Sequence, residues 1–227
     1  MTRLDHLLIA VTDVEAAATR WTAAGLPAAD GGRHPAGTHN ALVRGPEPAY
    51  LELIGADQAA TSPNAVRVLE GAGPLSWAIA VDDITATRSA VVAVGHEPGE
   101  VQEGARTTPD GEQLSWRTCE LGLSALHPYL PFLIDWRTPM APGPANGPRL
   151  RTVSLAVPNP AALAELLGAC GLRRVDAPDV RLTDGQVEIE LRAGTGRLVG
   201  ASVVVPVAPV GHCVLDGFEL DLLTQQA

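Results

Sequence analysis

The sequence predicts an α+β fold made of repeated β-α-β-β-β modules, and three observations carry that prediction. First, one phrase occurs three times: a short apolar run, a turn, an amphipathic stretch and a glycine. The copies are LDHLLIAVTDVEAAATRWTAAGL from Leu4, LSWAIAVDDITATRSAVVAVGHEP from Leu75 and LRTVSLAVPNPAALAELLGACGLRR from Leu150. Second, the punctuation keeps its spacing, because Val11 to Gly25, Val81 to Gly95 and Val157 to Gly171 are each 14 residues apart. Third, the strand-ending valines Val11, Val81 and Val157 follow one another at 70 and 76 residues, too long for a solenoid repeat and right for a small module copied within one globular unit.

In the first copy, residues 7–11 form an apolar run of strand length. Asp13 is placed to cap the helix that follows, Trp21 anchors it, and Gly25 ends it by taking a left-handed conformation. Asp83 and Asn159 take the capping position in the other copies. Ala28–Arg33 reads as a short strand containing turn-prone AspGlyGly at 30–32. His39–Arg44 and Ala49–Gly55 read as two further strands joined through GlyProGluPro at 45–48. In the second copy Leu75–Val81 is the strand and Ile84–Val94 the helix. Pro98–Glu103, Gln113–Cys119 and Pro131–Trp136 are the later strands, with ThrProAspGly at 108–111 a turn. Residues 137–149 are rich in Pro and Gly and read as a linker. Beyond it lie strand 150–157, helix 160–170, and β-like runs at Val187–Arg192, Leu198–Val207 and Phe218–Leu223. The expected organisation is a paired-module domain over 1–137 (modules 1–57 and 74–137), a linker over 138–149, and a third, divergent module over 150–227 packed on or completing the same unit.

Composition excludes several function classes. Net charge is −10, with no basic block, so a nucleic-acid partner is not expected. The apolar runs are too short to span a bilayer, and the N-terminus has no signal pattern, so a cytoplasmic protein without a membrane partner is expected. Three cysteines without CxxC spacing fit neither a zinc ribbon nor a disulfide scaffold. There is no GxSxG elbow, HExxH, P-loop or GxGxxG after a strand.

The tandem modules with their LDHLLIAVTD opening resemble the vicinal oxygen chelate superfamily. GTHNALVR at 37–44, YLELIG at 50–55 and PFLIDW at 131–136 resemble its glyoxalase-like domain branch in particular. The resemblance is clear over 1–137 and weak beyond 150. It implies a cup-shaped, mixed but mainly antiparallel sheet with helices outside. In metal-dependent members, each of two modules gives one ligand from its first strand and one from its last. Carried over position by position, the resemblance selects His6 and Glu52 from module one. In module two it reaches Ser76 and Ile134, neither of which is the expected ligand, while Asp135 is one residue off and on the other face of its strand. His39 is the nearest substitute; it would complete a two-His-one-carboxylate set with His6 and Glu52, although His39 and Asn40 are alternatives for pointing inward.

Apart from the family, Glu52 is the most informative residue, since a carboxylate in an otherwise apolar strand must face water, a cavity or a partner. Trp77, Trp116, Phe132 and Trp136 concentrate the aromatic side chains in module two, where they either pack helices on the sheet or form an apolar ligand wall. The expected function is binding, and lyase- or isomerase-type transformation, of a small oxygenated metabolite in the cup. His6 and Glu52 would be catalytic, one divalent metal ion would sit on His6, Glu52 and His39, and Asn40, Ser76, Trp77, Trp116, Phe132, Ile134 and Trp136 would bind substrate. The alternative is a metal-free, non-catalytic binding or resistance protein. A homodimer is expected in either case.

Overall fold

The computed structural model describes residues 1–122, 124–175, 178–206 and 210–224. Eight strands close a barrel: β1 (Arg3–Ala10), β2 (Ala28–Arg33), β3 (Thr38–Val43), β4 (Tyr50–Ala56), β5 (Gly73–Ala80), β6 (Gln102–Thr107), β7 (Gln113–Glu120) and β8 (Phe132–Trp136). Their order around it is β1-β4-β3-β2-β6-β7-β8-β5. Two pairs are parallel, β1 with β4 and β5 with β8, and the rest are antiparallel. This is the mixed, mainly antiparallel α+β architecture expected from the repeats.

The helices follow the punctuation. Asp13 accepts from Ala16 N–H ahead of α1 (Val14–Ala23), Asp83 from Thr85 and Ala86 N–H ahead of α3 (Ile84–Ala93), and Asn159 from Ala162 N–H ahead of α4 (Pro160–Ala169). Gly25, Gly95 and Gly171 have φ of 87°, 85° and 102°. After each, the chain turns back in the same way, with Leu26, His96 and Leu172 N–H donating to Trp21, Val91 and Leu167 C=O. A short helix α2 (Pro63–Leu69), capped by Ser62, links the two halves of the barrel.

The second sheet holds β9 (Arg149–Val157), β10 (Arg173–Arg174), β11 (Val180–Thr183), β12 (Glu188–Ala193), β13 (Arg197–Val205), β14 (Gly211–Leu215) and β15 (Phe218–Thr224), in the order β10-β11-β12-β9-β13-β15-β14. That order repeats the barrel's: β9 lies between parallel β12 and antiparallel β13, as β1 lies between β4 and β5, and β15 runs parallel to β13 as β8 does to β5. The outer face of the barrel, α1, α3 and α4, and one face of the second sheet share a single apolar core. It includes Leu7, Ile9, Trp21, Trp77 and Leu133 together with Val153, Leu167, Leu191 and Phe218. A separate cluster, with Leu8, Ala10, Ile54, Ala78, Phe132 and Ile134, fills part of the barrel interior, closed by Val68 of α2 and Leu126. No helix among the described residues is long and apolar enough to cross a membrane.

Four features differ from the sequence expectation. The strand expected at Pro98–Glu103 is β6, four residues later, because the turn that joins it to β7 sets its register: Gly111 N–H donates to Thr108 C=O, and Thr107 then pairs with Gln113. The AspGlyGly run lies inside β2, with a bulge between Asp30 and Gly32. An Asp216-Gly217 hairpin joins β14 to β15, both residues having positive φ (47° and 75°), a local signal that the reading of the sequence passed over. The run expected to reach Val207 ends in the structure with β13 at Val205, and Val207 lies outside the described residues.

Candidate functional site

The chemistry gathers inside the barrel. Strand alternation turns Leu7 and Ile9 of β1 to the helices and Leu8 and Ala10 to the interior. His6 shares the interior parity. Asp5 should then point outward, but the β1–β5 register shifts between Leu4 and His6, and the bulge brings both side chains together. His6 Nδ1 is 2.7 Å from Asp5 Oδ1, and Trp136 Nε1 donates to Asp5 Oδ2 at 2.9 Å. On the other side of the ring, His6 Nε2 is 3.6 Å from Glu52 Oε2, just beyond hydrogen-bond length. One imidazole therefore lies between two carboxylates.

Glu52 comes from β4, between Leu51 and Leu53 of the helix-side core. It is 5 % exposed, and a buried carboxylate needs donors. Asn40 of β3 supplies one, donating from Nδ2 to Glu52 Oε1 at 2.7 Å, while its Oδ1 accepts from Arg106 Nη1 of β6 at 3.2 Å. Only this orientation of the amide works, since a flip would set oxygen against carboxylate and NH2 against guanidinium. The Tyr50 ring stacks on His6 at 5.0 Å, and Phe132 meets it edge-on at 5.6 Å. Burial, reinforced by Asp5 and Glu52, pushes the Tyr50 hydroxyl well above its ordinary range, so it remains a phenol. At the β2–β3 turn His34 bonds Thr38 Oγ1 and meets Trp116, and desolvation lowers its pKa.

The residues singled out from sequence divide between two faces. His6, Glu52 and Asn40 come together inside the barrel with Phe132, Ile134, Trp116 and Trp136 around them. Trp116 and Trp136 contact at 5.1 Å, and the Trp116 ring lies so close over Gly104 that a Cβ there would be 2.2 Å from its Nε1. Ser76 is fully buried and spends its hydroxyl on the His127 carbonyl. Trp77 does not line the interior: it belongs to the core on the helix side, and its Nε1 donates to Tyr129 C=O. His39 is likewise on the outer face, against Gly55 and 3.9 Å from Asp57, because Asn40, its neighbour in β3, takes the inward direction. It cannot complete a set with His6 and Glu52. His39 lines instead a cleft of about 360 Å³ over β2, β3 and the start of α1. Asp135 points outward as well, to Arg117 at 2.6 Å.

A divalent ion of the kind the superfamily uses would have to be held by the donors that face one another. These are His6 Nε2 and Glu52 Oε2, since Asn40 occupies the other Glu52 oxygen and Asp5 is spent on His6 and Trp136. Among the described residues no three of His, Cys, Asp and Glu are grouped to hold an ion. Two donors do not fit a three- or four-ligand protein site.

The reading of the sequence missed Asp5, Arg106, His34 and Glu120. Glu120 ends β7 with interior parity, and burial pushes its carboxyl up to about 7 while Leu126 N–H donates to one oxygen. Arg106 and Glu120 both fell just outside the strands expected from the sequence, Pro98–Glu103 and Gln113–Cys119, so their inward direction could not be read from alternation, and nothing local marked the bulge that recruits Asp5.

The comparisons agree with this geometry at the level of fold. A hypothetical protein from Staphylococcus aureus superimposes with a TM-score of 0.80 at 14% identity, covering 99% of this chain and 100% of that one. The Mn(II)-bound glyoxalase from Novosphingobium aromaticivorans gives a TM-score of 0.58 at 13% identity, over 98% and 82%. A 2,3-dioxygenase from Pseudomonas sp. KL28 gives 0.57 at 14%, over 99% and 92%. A search of curated proteins finds no match. The family model of the glyoxalase-like domain matches residues 4–171, and the chain belongs to that family.

Proposed function

We propose that the protein binds a small oxygenated metabolite inside the barrel and acts on it by proton transfer, as a lyase- or isomerase-type enzyme. The observation that carries this reading is the buried run Asp5–His6–Glu52, with His6 Nε2 and Glu52 Oε2 facing across 3.6 Å. Asp5 accepts from Nδ1–H and so leaves Nε2 with its lone pair towards Glu52. Nε2 and Oε2 are then two proton acceptors that converge on one point of the interior. Either takes a proton from a carbon next to a carbonyl, and the pair returns it to a neighbouring atom. Asn40 holds Glu52 in place, and Trp136 does the same for Asp5. Tyr50 and Phe132 keep the imidazole ring fixed and exclude water around it. No step runs through a metal, because the donor set supplies two ligands.

The test is carbon-bound hydrogen exchange with D2O, followed by proton NMR over 2-oxo and 2-hydroxy compounds. Glu52→Gln should keep the fold and lose exchange by roughly 100-fold or more. Equal exchange in the variant would remove Glu52 from the proton transfer, and no exchange above background with the native protein would favour the second reading, a non-catalytic binder, which draws support from the apolar Ile134 and the hydrogen-bonded Ser76 at the module-two positions. The reading carries a cytoplasmic homodimer with it, to be checked by light scattering.

A further inference from the structure

Arg106 is 4 % exposed and carries a full charge inside the barrel. Its partners are poor for a buried guanidinium. Nη1 donates to the neutral amide oxygen of Asn40 at 3.2 Å, Nη2 reaches the Met140 sulfur at 3.7 Å, and Nε is buried with no partner. Other arginines of this chain are treated differently: Arg117 pairs with Asp135, Arg151 with Glu47, and Arg181 with Glu188 and Glu190. Among the described residues no carboxylate pairs with Arg106. A buried charge without a counter-ion is costly, and a guanidinium presents Nε–H and Nη–H as a fork matched to a carboxylate.

The fold makes room for this side chain deliberately. Gly31 of β2 faces it, and a Cβ there would stand 3.0 Å from Nη1 and 2.3 Å from Asn40 Oδ1. The Pro/Gly segment after β8 brings Met140, a flexible and weak acceptor, to the remaining nitrogen. Through Asn40 the guanidinium is one side chain away from Glu52, one of the two groups assigned the proton.

We propose that Arg106 binds the carboxylate of the ligand, and hence that the barrel takes a small organic acid oxygenated next to its carboxyl group. The proposal rests on the reading of the barrel interior as the ligand site. The acid's carboxylate takes Nε–H and Nη2–H and displaces the Met140 sulfur, while Nη1 keeps Asn40 and, through it, the link to Glu52. A monoanion suits the site better than a phosphate dianion, because Asp5 and Glu52 already place two carboxylates in the interior.

The experiment is isothermal titration of the full-length protein with pyruvate, lactate, glycolate and 2-oxobutyrate, beside lactamide and inorganic phosphate. The acids should bind, and lactamide and phosphate should not. Arg106→Gln should weaken acid binding by roughly tenfold or more. Arg106→Lys, which keeps the charge and loses the fork, should weaken it by a smaller factor and serves if the glutamine variant fails to fold by circular dichroism. Binding of lactamide as well as lactate, preference for phosphate, undiminished binding in both Arg106 variants, or no binding of any acid to the native protein overturns the proposal. Acid binding that depends on Arg106, with no hydrogen exchange above background in the native protein, overturns the proton-transfer reading and leaves the carboxylate site standing.

Discussion

Replacing Glu120 by glutamine should make the protein more stable at pH 8 and leave it nearly unchanged at pH 4.5. The Glu120 carboxyl is buried, one oxygen accepts from Leu126 N–H, and the other is buried without a partner. Desolvation raises its pKa from 4.5 to about 7 in the folded state. Between those values the unfolded chain is ionised while the folded protein still holds the proton. Stability is therefore lost as pH rises through that window and stays at its lower level above about 7. A shift of this size corresponds to about 3 kcal/mol, of which about 2–3 kcal/mol should survive residual solvent access. Glutamine has nearly the same shape and never ionises, so it removes this slope. Thermal unfolding of both proteins from pH 4.5 to 8, followed by tryptophan fluorescence, should show curves that converge at low pH and separate by roughly 4–12 °C at high pH. Parallel curves over the whole range would refute the assignment of a buried, protonated Glu120.

Gly32→Ala tests how the barrel closes, because β2 and β6 are joined through the single pair Arg33–Thr107 and a Cβ at Gly32 (φ 115°) would stand 2.0 Å from the Thr107 carbonyl oxygen. It should cost about 2–5 kcal/mol, and speed amide exchange along β6, whereas Gly95→Ala, with open space around it, should cost only about 1–2 kcal/mol. Equal losses in denaturant unfolding would show that the seam does not depend on this close approach. Asp216 accepts from Trp21 Nε1 at 2.8 Å and from Arg20 Nη2 at 2.5 Å, tying α1 to the β14–β15 hairpin. Asp216→Asn keeps the turn conformation but can satisfy only one of the two donors, so unfolding experiments should find a loss of about 1–2 kcal/mol; an unchanged midpoint would mean that the shared core alone holds the two sheets together.

What could be read from the residues alone was local. Asp13, Asp83 and Asn159 cap three helices, and Gly25, Gly95 and Gly171 end them, because capping and left-handed turns depend on a handful of neighbouring atoms. The apolar runs between these marks are strands, and their repetition is the module. His6 and Glu52 were selected through the resemblance of their strands to the family's, and Glu52 also by a carboxylate standing in an otherwise apolar strand. Tertiary structure decided everything that needs two distant strands. Whether His39 or Asn40 turns inward depends on the register of β3 against β4, and alternation then puts the other residue on the opposite face. Asp5 joins the site only through a bulge against β5. Arg106 meets Asn40 across 66 residues because the seam at Gly32 lets β6 come up against β2. A buried charge is chemically conspicuous only once its surroundings exist, which is why the guanidinium without a counter-ion was invisible in the sequence and is the most informative group in the fold.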